Sequence, residues 1–207
     1  MSDKGVSVMG GTLRLTLIAG IAAAIVGLAW EVTRDPIAAN QHERRMAEFA
    51  AVLGGIRFDT LDYDAPKRFD PPHSLPGDEV AEIYHAMLAD RLAAAVFVVS
   101  ADGYNGPIRL MIGMTPEREV IAVRVLSHNE TPGLADDIER ERSEWITSFN
   151  QRSVNGTNDP DWALQQNGGV FEGFTGASIT PRAIVLTVRD TLIWAERFPD
   201  RWQVVSQ

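Results

Sequence analysis

The hydrophobic and polar positions of this chain change pattern after an apolar N-terminal stretch. No charged residue occurs from Leu15 to Trp30, and with its flanks the stretch runs from Thr12 to Val32. About 20 apolar residues cross a bilayer as a helix, so we predict a transmembrane anchor here. A cleaved signal peptide is the alternative, but its apolar core has typically about 7–15 residues and is followed by a small-residue cleavage site. Basic residues lie on both sides of the stretch, so they do not decide its orientation.

The remainder of the chain alternates between short apolar segments and turn-forming residues. A charged stalk helix is predicted over Gln41–Leu53, ended by Gly54 and Gly55. The proline-rich segment Asp59–Gly77 is predicted as an irregular connection or an outer strand region. Strands are predicted at Glu79–Tyr84, Ala94–Ser100, Ile108–Met114 and Val120–Ser127, the last two as a hairpin. Helices are predicted around Ala135–Glu141 and from Pro181 onward, with a polar loop at Gly156–Gly169 between them. Consecutive strands and separate helices predict an α+β domain with a mainly antiparallel sheet and flanking helices.

Composition excludes several classes of function. The 207 residues carry a formal net charge of -9, and a surface that binds nucleic acid needs clustered lysine and arginine. The chain has no cysteine, which excludes disulfides, thiolate metal sites and cysteine nucleophiles. Any redox chemistry must therefore use a bound organic cofactor or the metal of a partner.

The segment Thr175-Gly176-Ala177-Ser178-Ile179-Thr180-Pro181 suits a bound phosphate. A residue before proline avoids the α region and proline favours the first helical position, so Thr180 is predicted as the N-cap and Pro181 as the first helical residue. The N–H groups at a helix start attract anions, Gly176 allows close approach, and Arg182 would add a positive charge. Ile184, Val188, Leu192 and Ala195 share one face of this helix, which is predicted to pack inward. An ordinary capped helix is the alternative.

A second polar cluster, Ser127–Asp136, follows the last predicted strand directly. It offers an imidazole, a carboxylate, a hydroxyl and a Pro-Gly turn within one loop. The simpler interpretation is a turn in which Asp136 or Thr131 caps the following helix. The four histidines have no spacing typical of metal ligands, and no pair of nucleophile and base is apparent, so we expect no metal site and assign no catalytic acid or base.

Together these segments resemble a known family. Thr175-Gly176-Ala177-Ser178-Ile179-Thr180 resembles the flavinylation motif of the FMN-binding domain, which occurs in the G subunit of Rnf electron-transport complexes (ion-translocating ferredoxin:NAD oxidoreductases) and in the C subunit of the sodium-pumping NADH:quinone reductase. Gly103–Ile108, His128–Leu134 and Trp145–Phe149 resemble other recurring segments of the family, in the expected order. The resemblance covers roughly Glu79–Arg189. The chain has Ser178 where the family often has threonine, and Ala135 where glycine is frequent.

The resemblance implies a cofactor and a set of residues that hold it. In the family the last hydroxyl residue of the motif is joined to FMN by a phosphoester bond, which here implies Thr180. The other residues implied in cofactor binding are Thr175, Gly176, Ala177, Ser178, Glu130, Thr131, Gly133 and Leu134. The flavin would perform the electron transfer, and the protein would set its orientation and solvent access.

The resemblance also implies partners, topology and domain limits. In the family this protein relays electrons between ferredoxin and NAD in a complex that moves sodium ions or protons, and a flavin transferase that uses FAD and magnesium attaches the FMN. We therefore expect a single-pass protein of the bacterial inner membrane with its flavin domain in the periplasm. The expected domains are a cytoplasmic tail (1–11), the transmembrane helix (12–32), a stalk and linker (33–78) and the FMN-binding domain (79–207).

The sequence is also compatible with two alternative functions. The C subunit of the sodium-pumping reductase shares the motif but is usually longer than 207 residues. A non-redox, membrane-tethered binding module would use the motif only as a capped helix. Co-purifying subunits distinguish the first alternative, and an unmodified peptide around Thr180 distinguishes the second.

Overall fold

The computed structural model describes residues 4–203, apart from the side chains of residues 4–10, 29 and 33–45. The chain divides into two compact units, Met1–Ala47 and Glu48–Gln207. Helix α1 spans Lys4–Leu53 and contributes to both units.

The first unit contains the apolar part of α1. Its segment Gly11–Val32 has 22 residues and a mean hydropathy of 2.0, long and apolar enough to cross a membrane. Large side chains such as Leu15, Ile25 and Trp30 are well exposed along it. Apolar surface of this extent is costly in water, and it therefore fits the predicted anchor better than a core helix of a soluble domain.

An antiparallel six-stranded sheet forms the centre of the second unit. The strands lie in the order β1-β3-β4-β5-β6, and β2 also pairs with β3. All the pairings between these strands are antiparallel. The strands are β1 (Thr60–Leu61), β2 (Lys67–Phe69), β3 (Ala81–Leu88), β4 (Arg91–Asp102), β5 (Pro107–Met114) and β6 (Val120–Ser127). The predicted α+β class is confirmed, as is the hairpin formed by β5 and β6.

Strands β3 and β4 are longer than predicted, because the turn between them carries no obvious sequence signal. The two residues of this turn, Ala89 and Asp90, have φ of 48° and 62°. Such turns usually contain asparagine or glycine, which tolerate positive φ. The pairing of Leu88 with Arg91 extends the hairpin to the turn itself.

The two faces of the sheet are covered by different helices. Alternate residues of β4, such as Phe97 and Val99, belong to the core that includes Ile184 and Val188 of helix α2 (Ile179–Arg197). The opposite face meets the end of α1, where the ring centroids of Phe49 and Tyr84 are 4.8 Å apart.

A glycine in β5 allows the end of α1 to approach the sheet closely. A Cβ atom on Gly113 would lie only 2.5 Å from the carbonyl oxygen of Val52. Val52 is fully buried. A larger residue at position 113 would therefore push the end of α1 away from this face.

The helical predictions have mixed outcomes. The predicted inward face of α2 is confirmed, since Ile184, Val188, Leu192 and Ala195 are all fully buried. The helix predicted around Ala135–Glu141 is wrong: only a 3-10 turn, Asp136–Ile138, forms there. The reason is the preceding loop, which folds back and uses the Asp136 carboxylate for its own backbone. The polar loop Gly156–Gly169 likewise contains a short 3-10 turn, Gln165–Asn167.

Candidate functional site

The loop after β6 is folded tightly on itself. The backbone N–H groups of Leu134 and Ala135 both donate to the carbonyl oxygen of Thr131 at 3.2 Å. Gly133 has φ of 76°, which favours glycine, and its N–H donates to Oδ1 of Asp136 at 2.8 Å. The loop therefore has a defined shape before any ligand binds.

Asp136 stabilises this loop and does not cap a helix as the sequence suggested. The hydrogen bond from Gly133 is the main reason that the pKa of Asp136 is lowered, and burial opposes it. Arg142 adds an ion pair, with its Nη1 atom 2.9 Å from Oδ2 of Asp136. The residue before the 3-10 turn is Ala135, so Thr131 is not its cap either.

His128 holds the first part of this loop, at Glu130, through hydrogen bonds of both ring nitrogens. Nδ1 accepts a hydrogen bond from the backbone N–H of Glu130 at 3.1 Å, and Nε2 lies 2.8 Å from Oε1 of Glu139. Because Nδ1 accepts a hydrogen bond, the hydrogen on the ring lies on Nε2 and points to the Glu139 carboxylate. His128 thus positions the backbone of Glu130.

The start of α2 differs from the sequence prediction. The helix begins at Ile179, and the N-cap is Ser178, which makes no capping hydrogen bond from its side chain within the described residues. The prediction that Thr180 is the N-cap and Pro181 the first helical residue is wrong by two positions. Pro181 is still tolerated because the first turn needs no intrahelical N–H donors.

Thr180 lies in this first turn, and its side chain makes a hydrogen bond to a residue far away in the sequence. Its Oγ1 donates a hydrogen bond to Oε2 of Glu130 at 2.5 Å, across 50 positions of sequence. Both residues are buried, with 1% of Thr180 and 4% of Glu130 exposed. This contact explains why Thr180 does not cap the helix: its hydroxyl donates to Glu130 in the loop after β6.

The turn between β4 and β5 holds the other carboxylate oxygen of Glu130. The backbone N–H of Asn105 donates to Oε1 at 3.0 Å, and the Asn105 side chain donates to the Thr131 hydroxyl at 3.0 Å. A Cβ atom on Gly103 would lie 2.5 Å from Oε1 of Glu130. Three separate segments of the chain therefore converge on one carboxylate.

A pocket of about 270 Å³ opens beside Thr180. It brings together seven of the nine residues that the family resemblance implied. Its lining is Tyr104, Glu130, Thr131, Leu134, Ala135, Gly176, Ala177, Ser178, Ile179 and Thr180. Gly176 has φ of 80°, and a Cβ atom there would meet only Leu134 Cδ1, at 3.7 Å.

The other two implied residues, Gly133 and Thr175, line a neighbouring pocket of about 700 Å³. Leu134 lines both pockets. Aromatic rings form part of the larger one: Trp145 and Phe174 meet edge to face with centroids 5.1 Å apart. Near them the buried Oγ of Ser148 has no hydrogen-bond partner among the described residues.

Two residues of the site, Tyr104 and Asn105, were not predicted as site residues, and Arg182 was predicted at the site but lies elsewhere. Tyr104 and Asn105 lie in Gly103–Ile108, a segment noted in the sequence for its resemblance to a recurring segment of the family. Arg182, expected to add a positive charge, lines a different pocket with Asp102 and Asp190. Its guanidinium is 3.4 Å from the side chain of Asn167.

The groups around Thr180 are suited to the attachment or binding of a phosphate. A buried hydroxyl is hydrogen-bonded to a fixed carboxylate at the start of a 19-residue helix. The first N–H groups of a helix have no intrahelical acceptor and attract anions. The site thus combines a hydroxyl, a proton acceptor and a place for a phosphate, next to pockets large enough for a small organic cofactor.

Comparison with known proteins identifies similar sequences over nearly the whole chain. Residues 103–193 match the family model of the FMN-binding domain. The G subunit of the ion-translocating oxidoreductase complex of Aliivibrio fischeri is 36% identical over 179 residues, covering 86% of this chain and 85% of that protein. The G subunit of Shewanella amazonensis is 37% identical over 201 residues, covering 95% and 92%.

A further relative and one solved structure are also similar. The G subunit of Salmonella typhimurium is 35% identical over 188 residues, covering 90% of each protein. The crystal structure of Shewanella oneidensis NqrC has a TM-score of 0.45 and 17% identity, covering 65% of this chain and 68% of that one.

Proposed function

Because this chain belongs to the family of G subunits of ion-translocating oxidoreductase complexes, we propose that it carries electrons through an FMN whose phosphate is joined to Thr180. The family makes the chain an FMN-binding, electron-carrying subunit of such a complex. The covalent bond at Thr180 is the finer part of the proposal. The observation that supports it is the buried Thr180 hydroxyl, hydrogen-bonded to Glu130 beside a pocket at the start of α2.

The residues around Thr180 fit a phosphate group. Ser178 leaves the helix start without a side-chain cap among the described residues, so the N–H groups there are suited to an anion. Gly176 adopts positive φ, and its open side leaves room for a ligand above the motif. Anion stabilisation by a helix dipole is typically ~0.3–1 kcal/mol, so retention of the cofactor would depend on the covalent bond.

The neighbouring pockets fit the rest of the cofactor. Thr131, Gly133 and Leu134 would face the ribityl chain or the ring from the loop after β6, and Thr175, Gly176, Ala177 and Ser178 from the motif. The larger pocket, about 700 Å³, is in the range of small-molecule sites, and the smaller one, about 270 Å³, is close to the lower end of that range. FMN supplies reversible uptake of one or two electrons, and the protein's part is to hold it and limit its access to water.

The proposal also includes the partners, the location and the domain limits that the family resemblance implies. The partners are other subunits of the complex, which passes electrons between ferredoxin and NAD and moves an ion, and a flavin transferase that uses FAD and magnesium. The expected location is the bacterial inner membrane, with the flavin domain in the periplasm. The proposed domain limits are those given above: a cytoplasmic tail (1–11), the transmembrane helix (12–32), a stalk and linker (33–78) and the FMN-binding domain (79–207).

Mass spectrometry and in-gel fluorescence test the attachment. The full chain, purified from cells that contain the flavin transferase, is expected to carry one FMN on the peptide that contains Thr180, and to fluoresce after denaturation. Thr180→Ala is expected to lose both signals, whereas Thr175→Ala, a matched change in the same motif, is expected to keep them. A denatured band that never fluoresces, with an unmodified peptide, would favour a non-redox binding module.

A further inference from the structure

We propose that Glu130 accepts the proton of the Thr180 hydroxyl when the flavin phosphate is attached, so that this chain provides the general base for its own modification. The proposal rests on the proposed attachment at Thr180. It adds a role for Glu130 in the attachment reaction, separate from any contact between this residue and the bound cofactor.

The geometry already places the proton between the two groups. Thr180 Oγ1 donates to Glu130 Oε2 at 2.5 Å. The hydroxyl is a weak nucleophile until a base takes its proton, and such a base must lie within hydrogen-bond reach. Glu130 meets this requirement before any cofactor or enzyme is bound.

The carboxylate is also held from its other side. Oε1 accepts the backbone N–H of Asn105 at 3.0 Å, and the backbone of Glu130 donates to Nδ1 of His128 at 3.1 Å. His128 in turn is hydrogen-bonded to Glu139 at 2.8 Å. A base fixed in this way costs little further ordering when the reaction begins.

The same contact explains which hydroxyl of the motif would react. Thr175 is exposed and Ser178 half-buried. Neither side chain hydrogen-bonds a carboxylate within the described part of the chain, whereas Thr180 does. The attachment site is therefore selected by a proton acceptor on a distant loop as well as by the local motif.

The transfer balances with a flavin dinucleotide as the second reactant. The Oγ1–H bond of Thr180 breaks and its proton moves to Glu130. Oγ1 forms a bond to the phosphorus of the FMN half, and the pyrophosphate bond breaks, releasing AMP. No oxidation or reduction is required. The proton on Glu130 then allows its carboxyl group to donate a hydrogen bond to the new phosphodiester, avoiding two negative charges in contact in a buried site.

The experiment measures attachment itself. The full, unmodified chain in detergent is mixed with flavin transferase, FAD and magnesium, and FMN on the Thr180 peptide is followed by mass spectrometry. Glu130→Gln keeps the size of the side chain and one of its two accepting oxygens but removes the base, so we expect attachment to slow by about 10²–10⁴-fold. The KM for the acceptor chain should change little. Glu117→Gln, the same change on the exposed β5–β6 turn, should react at the wild-type rate.

The outcomes separate the two proposals. If the wild type gains no FMN on Thr180, the proposed function fails. If the wild type is modified and folded Glu130→Gln reacts at a similar rate, only the role of Glu130 is overturned. Glu130→Asp keeps a carboxylate that is one methylene shorter, so it should react more slowly than wild type and faster than Glu130→Gln. Should Glu130→Gln fail to fold, a wild-type rate in Glu130→Asp would overturn the proposal.

Discussion

The backbone N–H of Glu130 donates a hydrogen bond to Nδ1 of His128, and this bond aligns the loop that faces Thr180. The imidazole is itself held by Glu139. His128 therefore supports a neighbouring carboxylate through both of its ring nitrogens. Removing the His128 side chain should therefore disturb the loop directly and cofactor attachment only indirectly.

His128→Ala is expected to loosen the loop after β6 and to reduce the fraction of chain that carries FMN. The substitution leaves the N–H of Glu130 without its partner, which costs about 1–3 kcal/mol when the group is buried. Amide hydrogen exchange should accelerate in the peptide that contains Glu130–Leu134. Asn129→Ala, at an exposed neighbouring position, is the matched control and should leave exchange unchanged. Equal exchange in the two variants would contradict this role.

Thr180→Val should destabilise the unmodified domain as well as prevent attachment. Valine has nearly the shape of threonine but leaves the buried Glu130 carboxylate without its hydroxyl donor, at a cost of about 1–3 kcal/mol. Urea unfolding measures the difference. In contrast, Thr180→Ser keeps the donor and should retain FMN, with a stability loss limited to that of one buried methyl group.

Thr157→Val is the control for the change of side chain, because Thr157 is exposed. It should unfold like the wild type. If Thr180→Val is as stable as this control, the hydrogen bond to Glu130 contributes little to the folded state.

Gly176→Ala tests the left-handed backbone of the motif. Glycine adopts φ of 80° here without strain, whereas alanine in this region costs about 1–2 kcal/mol. The nearest atom to the added methyl group would be 3.7 Å away, so the cost is one of backbone conformation, not of steric overlap. Thermal unfolding should show the loss.

Gly173→Ala is its matched control. A Cβ atom at Gly173 would meet Leu164 Cδ1 at 3.6 Å, a similar contact, but this glycine is not among those with positive φ. The control should therefore be more stable than Gly176→Ala. If Gly176→Ala were the more stable of the two variants, the positive φ at position 176 would not be required by the fold.

Asp136 predicts a pH dependence of stability. Its pKa is lowered in the folded protein, chiefly by the hydrogen bond from Gly133, so the folded state favours the ionised carboxylate. The stabilisation is present above the pKa of the unfolded chain and is lost as the pH falls through the lower folded value. Asp136→Asn should therefore be less stable than wild type near neutral pH and approach it in acid.

Urea unfolding of both proteins across the acidic range measures this effect. Asp137→Asn, on the exposed adjacent residue, controls for the loss of one negative charge. A difference between wild type and Asp136→Asn that persists unchanged into strong acid would contradict the assignment.

Local patterns predicted much of the fold. The hairpin of β5 and β6, the inward face of α2 and the end of α1 at Leu53 all follow from short-range periodicity and turn residues, and all are confirmed. The bounds of β3 and β4 were missed because the turn between them lacks the usual turn residues. The helix predicted after Ala135 and the N-cap predicted at Thr180 failed because of contacts within a folded-back loop or between distant segments. The helix after Ala135 was wrong because the Asp136 carboxylate is used by the loop before it.

The sequence by itself determined the α+β domain, the apolar N-terminal segment and the motif that ends in Thr180, because each depends on neighbours within a few positions. The tertiary structure decided what the Thr180 hydroxyl contacts. Glu130 lies 50 positions away, and its carboxylate reaches Thr180 only because the β4–β5 turn and the loop after β6 meet at the start of α2. A hydrogen bond of that kind depends on packing across the whole domain, and no local spacing in the sequence encodes it.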